Sequence, residues 1–139
     1  MKQLYFICVI LIISTSSCKS PKEAMQSTTA LYNTKWSLIK IHGNGNEEIV
    51  NTKAFIRFDK EKGSAGGNSS CNNFGSSATI SRNEVTFKNI FSTKMYCEQV
   101  QQIENKLLGS LEKVNRFETK GDALFLYSDK ELLLQFASE

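Results

Sequence analysis

Proline and histidine occur once each in this chain, and neither sign of charge gathers into a block. The scattered lysines and arginines leave a net charge of +3 without the basic stripe that a nucleic-acid footprint needs, so no nucleic-acid partner is expected. Cysteines at CxxC spacing and histidines at HxxxH spacing are both missing, which removes the usual closed metal sites. With His42 as the sole imidazole, a cysteine or serine nucleophile has one candidate base, and "HGNGN" places it in a turn, read as solvated. No apolar run approaches the roughly 20 residues that span a bilayer as a helix. No internal repeat is visible.

The chain does have an N-terminal address. After Met1-Lys2-Gln3, Leu4 to Ile13 is almost entirely apolar, the length of a secretory h-region. Ser14 to Ser17 and then Cys18 follow in the manner of a bacterial lipobox, with Thr15 where leucine is preferred. Residues 1–17 are therefore expected to be a lipoprotein signal and Cys18 the lipidated residue. Several acyl chains there would anchor the protein stably to a membrane. The polar stretch "KSPKEAMQSTT" carries the only proline, and 18–30 reads as a tether before a single domain over 31–139. The residues behind Cys18 lack an acidic run, which favours a domain in the periplasm of a bacterial envelope.

Within the domain the pattern is mostly strand. "TKWSLIKIHG" ends in the turn signal "GNGN". "KAFIRFD" alternates Ala54, Ile56 and Phe58 against Phe55, Arg57 and Asp59, and "EKGSAGG" reads as turn. "SATISR" and "EVTFKNI" form a hairpin, with Asn83 suited to positive φ. "NRFETK", "ALFLYS" and "ELLLQFA" close the chain, the last two apolar on both faces and so expected to be covered on both sides. Val100, Ile103, Leu107, Leu111 and Val114 make one apolar stripe, predicting a helix from about Glu98 to Lys113 that packs on the sheet.

Two cysteines remain once Cys8 of the signal and Cys18 are set aside. Cys71 and Cys97 in an exported domain suit one disulfide, and closing a loop of about 25 residues stabilises by roughly 3 kcal/mol in the chain-entropy model. Two alternatives stay open: a reactive Cys97 thiolate at a helix N-terminus, and a metal held by Cys71, Cys97 and His42 with Met95. In "GNSSCNNFGSS", Cys71 faces inward at a sharp corner, Asn72 and Asn73 bond nearby backbone and tolerate left-handed φ, and Phe74 returns to the core. The same turn could instead offer backbone N–H groups to an anion or other ligand.

"CNNF" at Cys71 to Phe74 and "STKMYC" at Ser92 to Cys97, followed by a helix containing glutamate, resemble the META domain, the HslJ-like domain of heat-inducible bacterial lipoproteins. The resemblance runs from Leu31 to Phe136. Ser70 stands where the family usually has glycine or another small residue, and Tyr96 where alanine is frequent. Cys71 and Cys97 fall inside its two most specific motifs, which strengthens the disulfide reading; Asn72, Asn73, Phe74, Ser92, Thr93 and Met95 are the other motif residues. It implies an α+β fold, a curved, barrel-like antiparallel sheet with one packed amphipathic helix, and no established catalytic residues. It further implies an association with heat shock and novobiocin resistance. The expected function is a non-enzymatic envelope lipoprotein, a monomeric, stress-linked binding or scaffold module without cofactor. The alternative is a small-ligand or metal-binding module using Cys71 and Cys97 or a pocket at the barrel mouth.

Overall fold

The structure is a computed structural model that describes residues 31–32 and 34–139; the signal, Cys18 and the tether lie outside the described residues. Nine strands follow in order: β1 (Trp36–Gly43), β2 (Asn46–Ile49), β3 (Phe55–Asp59), β4 (Ser64–Asn68), β5 (Asn73–Ser81), β6 (Glu84–Ser92), β7 (Arg116–Lys120), β8 (Ala123–Ser128) and β9 (Glu131–Ser138). A helix, α1 (Gln101–Leu111), joins β6 to β7.

The sheet is antiparallel throughout and closes on itself. β1 pairs with β9 along one edge and, on the other, with β3 at its start and β2 at its end. From β3 to β9 each strand pairs with the next, so the result is a curved, barrel-like ring with β2 as an appended hairpin arm. Closure removes the free edges an open sheet would leave. The thinnest seam is β6–β7, where Glu84 faces Arg116 as the one aligned pair.

Strand alternation explains the interior. Ala54, Ile56 and Phe58 point inward as their period of two requires, and they join Trp36, Leu38, Phe74, Phe117, Leu124, Leu126, Leu134 and Phe136 in one contiguous core. Leu31 is fully buried, and its carbonyl accepts the Trp36 indole N–H at 3.1 Å.

Several local expectations change. "EKGSAGG" is not only turn, because Ser64–Asn68 form β4. Its small residues are required by crowding. A Cβ on Gly67 would lie 2.0 Å from the Phe55 carbonyl oxygen, and one on Gly66 would lie 2.7 Å from that of Phe74. The outer faces of β8 and β9 are not sealed by a second layer. Phe125 and Tyr127 are half-buried, with the Lys120 ammonium 5.9 Å and the Arg116 guanidinium 3.8 Å from their ring centroids. Leu133 is an extra residue at a bulge, which lets it and Leu134 both be buried. In the β5–β6 hairpin the positive φ falls on Arg82, at 55°, rather than on Asn83.

The β1–β2 hairpin turns on Asn44 and Gly45, at φ 51° and 77°, the sign that a two-residue loop between twisted strands needs at both positions. His42 is therefore in β1, opposite Glu47, and not in the turn. It is half-buried, and its Nε2 is shielded from solvent without a hydrogen-bond partner.

The helix is shorter than its apolar stripe suggests. Leu107 and Leu111 are buried and Ile103 packs on the core, as does Val114 just beyond the C-terminus. Glu98 and Lys113 lie outside it. The chain up to Cys97 is held extended by contacts described below, and the first turn forms only when the Cys97 carbonyl accepts the N–H groups of Val100 and Gln101. An isolated helix of this length is marginal in water, so packing holds it.

Candidate functional site

The β4–β5 corner is the polar centre of the molecule. Asn68 Oδ1 accepts the Ser70 N–H at 3.0 Å, and the Ser69 N–H reaches the Asn72 carbonyl at 2.7 Å, which folds the chain back within four residues. The left-handed residue is Ser70, at φ 91°, and neither asparagine takes that role. A serine there is strained where glycine would not be. The Ser70 hydroxyl lies 2.7 Å from that of Thr52, which ties the corner to the loop before β3.

Asn72 is 1% exposed and uses all the hydrogen-bonding capacity of its amide. Its Oδ1 accepts the Thr93 hydroxyl at 2.7 Å and the Met95 N–H at 2.9 Å. Its Nδ2 donates to the Met95 carbonyl at 2.8 Å and to Glu104 Oε1 at 2.9 Å. A primary amide presents one acceptor and one donor to the N–H and C=O of a single extended residue, as a neighbouring strand would. Asn72 thus serves as a one-residue strand partner for Met95.

Glu104, in the first turn of α1, is 4% exposed. Its Oε2 accepts the Ser69 hydroxyl at 2.6 Å and the Asn72 N–H at 3.0 Å; its Oε1 also takes a long bond from Gln101 at 3.5 Å. Burial pushes its pKa up. The hydrogen bonds from Ser69, the Asn72 side chain, the Asn72 backbone and Gln101 outweigh that, and they hold the carboxyl below its ordinary value. The first-turn position adds the favourable end of the helix dipole. A buried carboxylate is here solvated by neutral donors.

Cys71, buried beside Asn72, is joined to Cys97 by a disulfide, with Cα atoms 5.9 Å apart. This removes the thiolate on which both the reactive-Cys97 and the metal readings depended. His42 belongs to the hairpin arm, and Met95 contributes its backbone while its side chain is exposed. The expected motif residues otherwise converge. Asn73 N–H donates to Thr93 Oγ1 at 3.3 Å, Asn73 Oδ1 accepts from Asn68 at 3.1 Å, Ser92 lies opposite Phe74, and Phe74 enters the core. Ser69, Thr52 and Glu104 were not singled out from the sequence. The one available signal was the glutamate in the helix that follows the second motif.

Chemically, the arrangement fastens three segments together: the corner, the 93–97 stretch and the start of the helix. The donors and acceptors at its centre are engaged with one another.

A family model described as the META domain matches residues 29–139. Among curated proteins none matches this chain. Two solved NMR structures have a similar fold. One, of a protein from Burkholderia xenovorans, is 20% identical with a TM-score of 0.69, and the match covers 86% of this chain and 88% of that one. The other is 22% identical with a TM-score of 0.61, covering 82% of this chain and 92% of that one. At these identities the likeness concerns the fold alone.

Proposed function

Because the chain belongs to the META domain family, we propose that it is a non-enzymatic lipoprotein of the bacterial envelope, anchored through Cys18 and serving as a stress-linked binding or scaffold module. In this reading its domain stands in the periplasm. One observation carries the non-enzymatic part. Glu104, the buried carboxylate at the polar centre, has both oxygens engaged by Ser69, Asn72 and Gln101, and its pKa is lowered, away from the range a general acid at neutral pH requires. The contiguous core supports the same reading, since side chains from around the ring meet inside it. The lipobox-like run before Cys18 supports the anchor.

Metabolic labelling with a fatty-acid analogue, followed by fractionation, tests the anchor. The wild-type chain is expected to carry label in the membrane fraction, and Cys18→Ala to lose it. Label retained on Cys18→Ala would refute the lipobox reading.

A further inference from the structure

Four large apolar side chains among the described residues are prominently exposed, and three of them fall in one short stretch: Phe91 at 70%, Met95 at 61% and Tyr96 at 77%. This stretch is held at three points. Thr93 N–H bonds the Asn73 carbonyl at 3.0 Å, Asn72 grips both backbone groups of Met95, and Cys97 is covalently fixed to Cys71. Phe91 is seated as well. Its ring lies over Gly75, where an added Cβ would come within 2.7 Å of it, so one face is supported by backbone and the other is open. A stretch whose backbone is already fixed loses less freedom when it meets a partner.

We propose that Phe91, Met95 and Tyr96, with Lys88 and Lys94, form a docking surface for the headgroup region of an anionic phospholipid bilayer. Lys88 and Lys94 are exposed and interleave with the apolar side chains. A phenol, an aromatic ring and a thioether beside ammonium groups suit the boundary between acyl chains and phosphates. Five residues of extended chain separate Phe91 from Tyr96 by at most about 18 Å, so they share one footprint. The location also fits. If Cys18 is lipidated, the 18–30 stretch reaches at most about 45 Å when extended, more than the rise of about 30 Å expected for a nine-residue strand such as β5. The chain enters at the start of β1, and by the strand register Trp36, Ile56, Gly67, Phe74 and Ser92 fall in one row across the sheet, so the 91–96 stretch begins four strand spacings, about 19 Å, from that entry, which that reach spans. This last argument rests on the lipoprotein reading; the surface itself does not.

The test is co-sedimentation of the chain from Lys19 onward, without acylation, with vesicles of phosphatidylethanolamine and phosphatidylglycerol, and with vesicles of phosphatidylcholine alone. Binding is expected to the anionic vesicles and to weaken in high salt. Lys88→Gln with Lys94→Gln should weaken it about 25-fold, from about fivefold per lysine near an anionic surface. Phe91→Ser with Tyr96→Ser should weaken it at least about tenfold, through lost apolar insertion. Ile49→Ser, exposed on the hairpin arm, should leave it unchanged, and unaltered thermal melts would show that each variant is folded. Absence of binding by the wild-type chain, or equal binding by the Phe91/Tyr96 variant, overturns the proposal. So does concentration-dependent self-association abolished by that variant, which would assign the surface to a second copy. Vesicle binding without fatty-acid label on Cys18 would sink the anchor reading alone.

Discussion

Replacing Glu104 with alanine should be among the most damaging single changes in the domain, although nothing apolar is lost from the core. The substitution leaves the Ser69 hydroxyl, the Asn72 N–H and one Asn72 amide hydrogen without their acceptor, at a site where Glu104 and Asn72 are nearly inaccessible to water. Each stranded buried donor costs about 1–3 kcal/mol, and the hydroxyl can rotate to another acceptor, so a total loss of about 3–5 kcal/mol is expected. Glu104→Gln keeps one acceptor but sets an NH2 against existing donors, and should fall between wild type and alanine. The pH dependence adds a second readout. Because the folded-state pKa of Glu104 is depressed, its contribution is fully present above the unfolded glutamate value of about 4.3 and fades as pH falls through the lower folded value. Asp59, Glu118 and Glu139 are also depressed, so the comparison must be between variant and wild type at each pH. Urea unfolding followed by the fluorescence of buried Trp36 gives the measurement. The gap between wild type and Glu104→Gln should be widest near pH 7 and should narrow in acid. A loss below about 1 kcal/mol for alanine, or a gap that is constant with pH, would refute the assignment of Glu104 as the acceptor that holds the corner to the helix.

Cys71→Ser or Cys97→Ser should each lower stability by about 2–4 kcal/mol, with the double variant little worse, as chemical denaturation would show; peptide mapping without reduction should recover residues 71 and 97 in one linked fragment. Gly67→Ala should cost several kcal/mol, roughly the severe end of point substitutions, because its Cβ meets the Phe55 carbonyl, while Gly109→Ala, with open space around it, should raise stability by about 1 kcal/mol. Thermal melts of the two alanine variants should therefore move in opposite directions. Ser70→Gly should fold with near-wild-type stability, trading left-handed strain against the Thr52 contact, whereas Ser70→Val should destabilise by more than about 2 kcal/mol, since a β-branched side chain is placed at φ 91°; urea midpoints would separate them.

How far these features could be read in advance depended on whether side-chain pattern or backbone proximity determined them. β3 was legible because Ala54, Ile56 and Phe58 alternate, and Leu107 and Leu111 because they share a helical stripe. β4 was hidden for the opposite reason. Its glycines are dictated by neighbouring carbonyls, and glycine-rich sequence reads as turn. His42 was misplaced because the turn occupies only Asn44 and Gly45, so strand continues through a stretch of turn-forming composition. The meeting of Cys71 with Cys97 was accessible by counting thiols. The central role of Asn72 was not, because bonding both backbone groups of Met95 depends on two segments that only the folded ring brings together. Glu104 adjoins the apolar stripe and looks like a solvated helix residue; its burial follows from where the corner lies, which no periodicity reports.

Ring closure by β1 and β9 carries a consequence for how the protein is made. The first strand of the domain finds its second neighbour only in the last, and Lys35 pairs with Glu139, 104 residues later. A ribosome that has not yet delivered β9 therefore withholds the pairing that completes the ring. Until β9 emerges, β1 can form its hairpin with β2 and its short contact with β3, but its other edge stays open. Chain ends that must meet late make folding slow relative to domains built from local contacts. In the lipoprotein reading proposed above, where the chain would cross a membrane channel unfolded, that delay is an advantage: the lock engages once β9 has emerged.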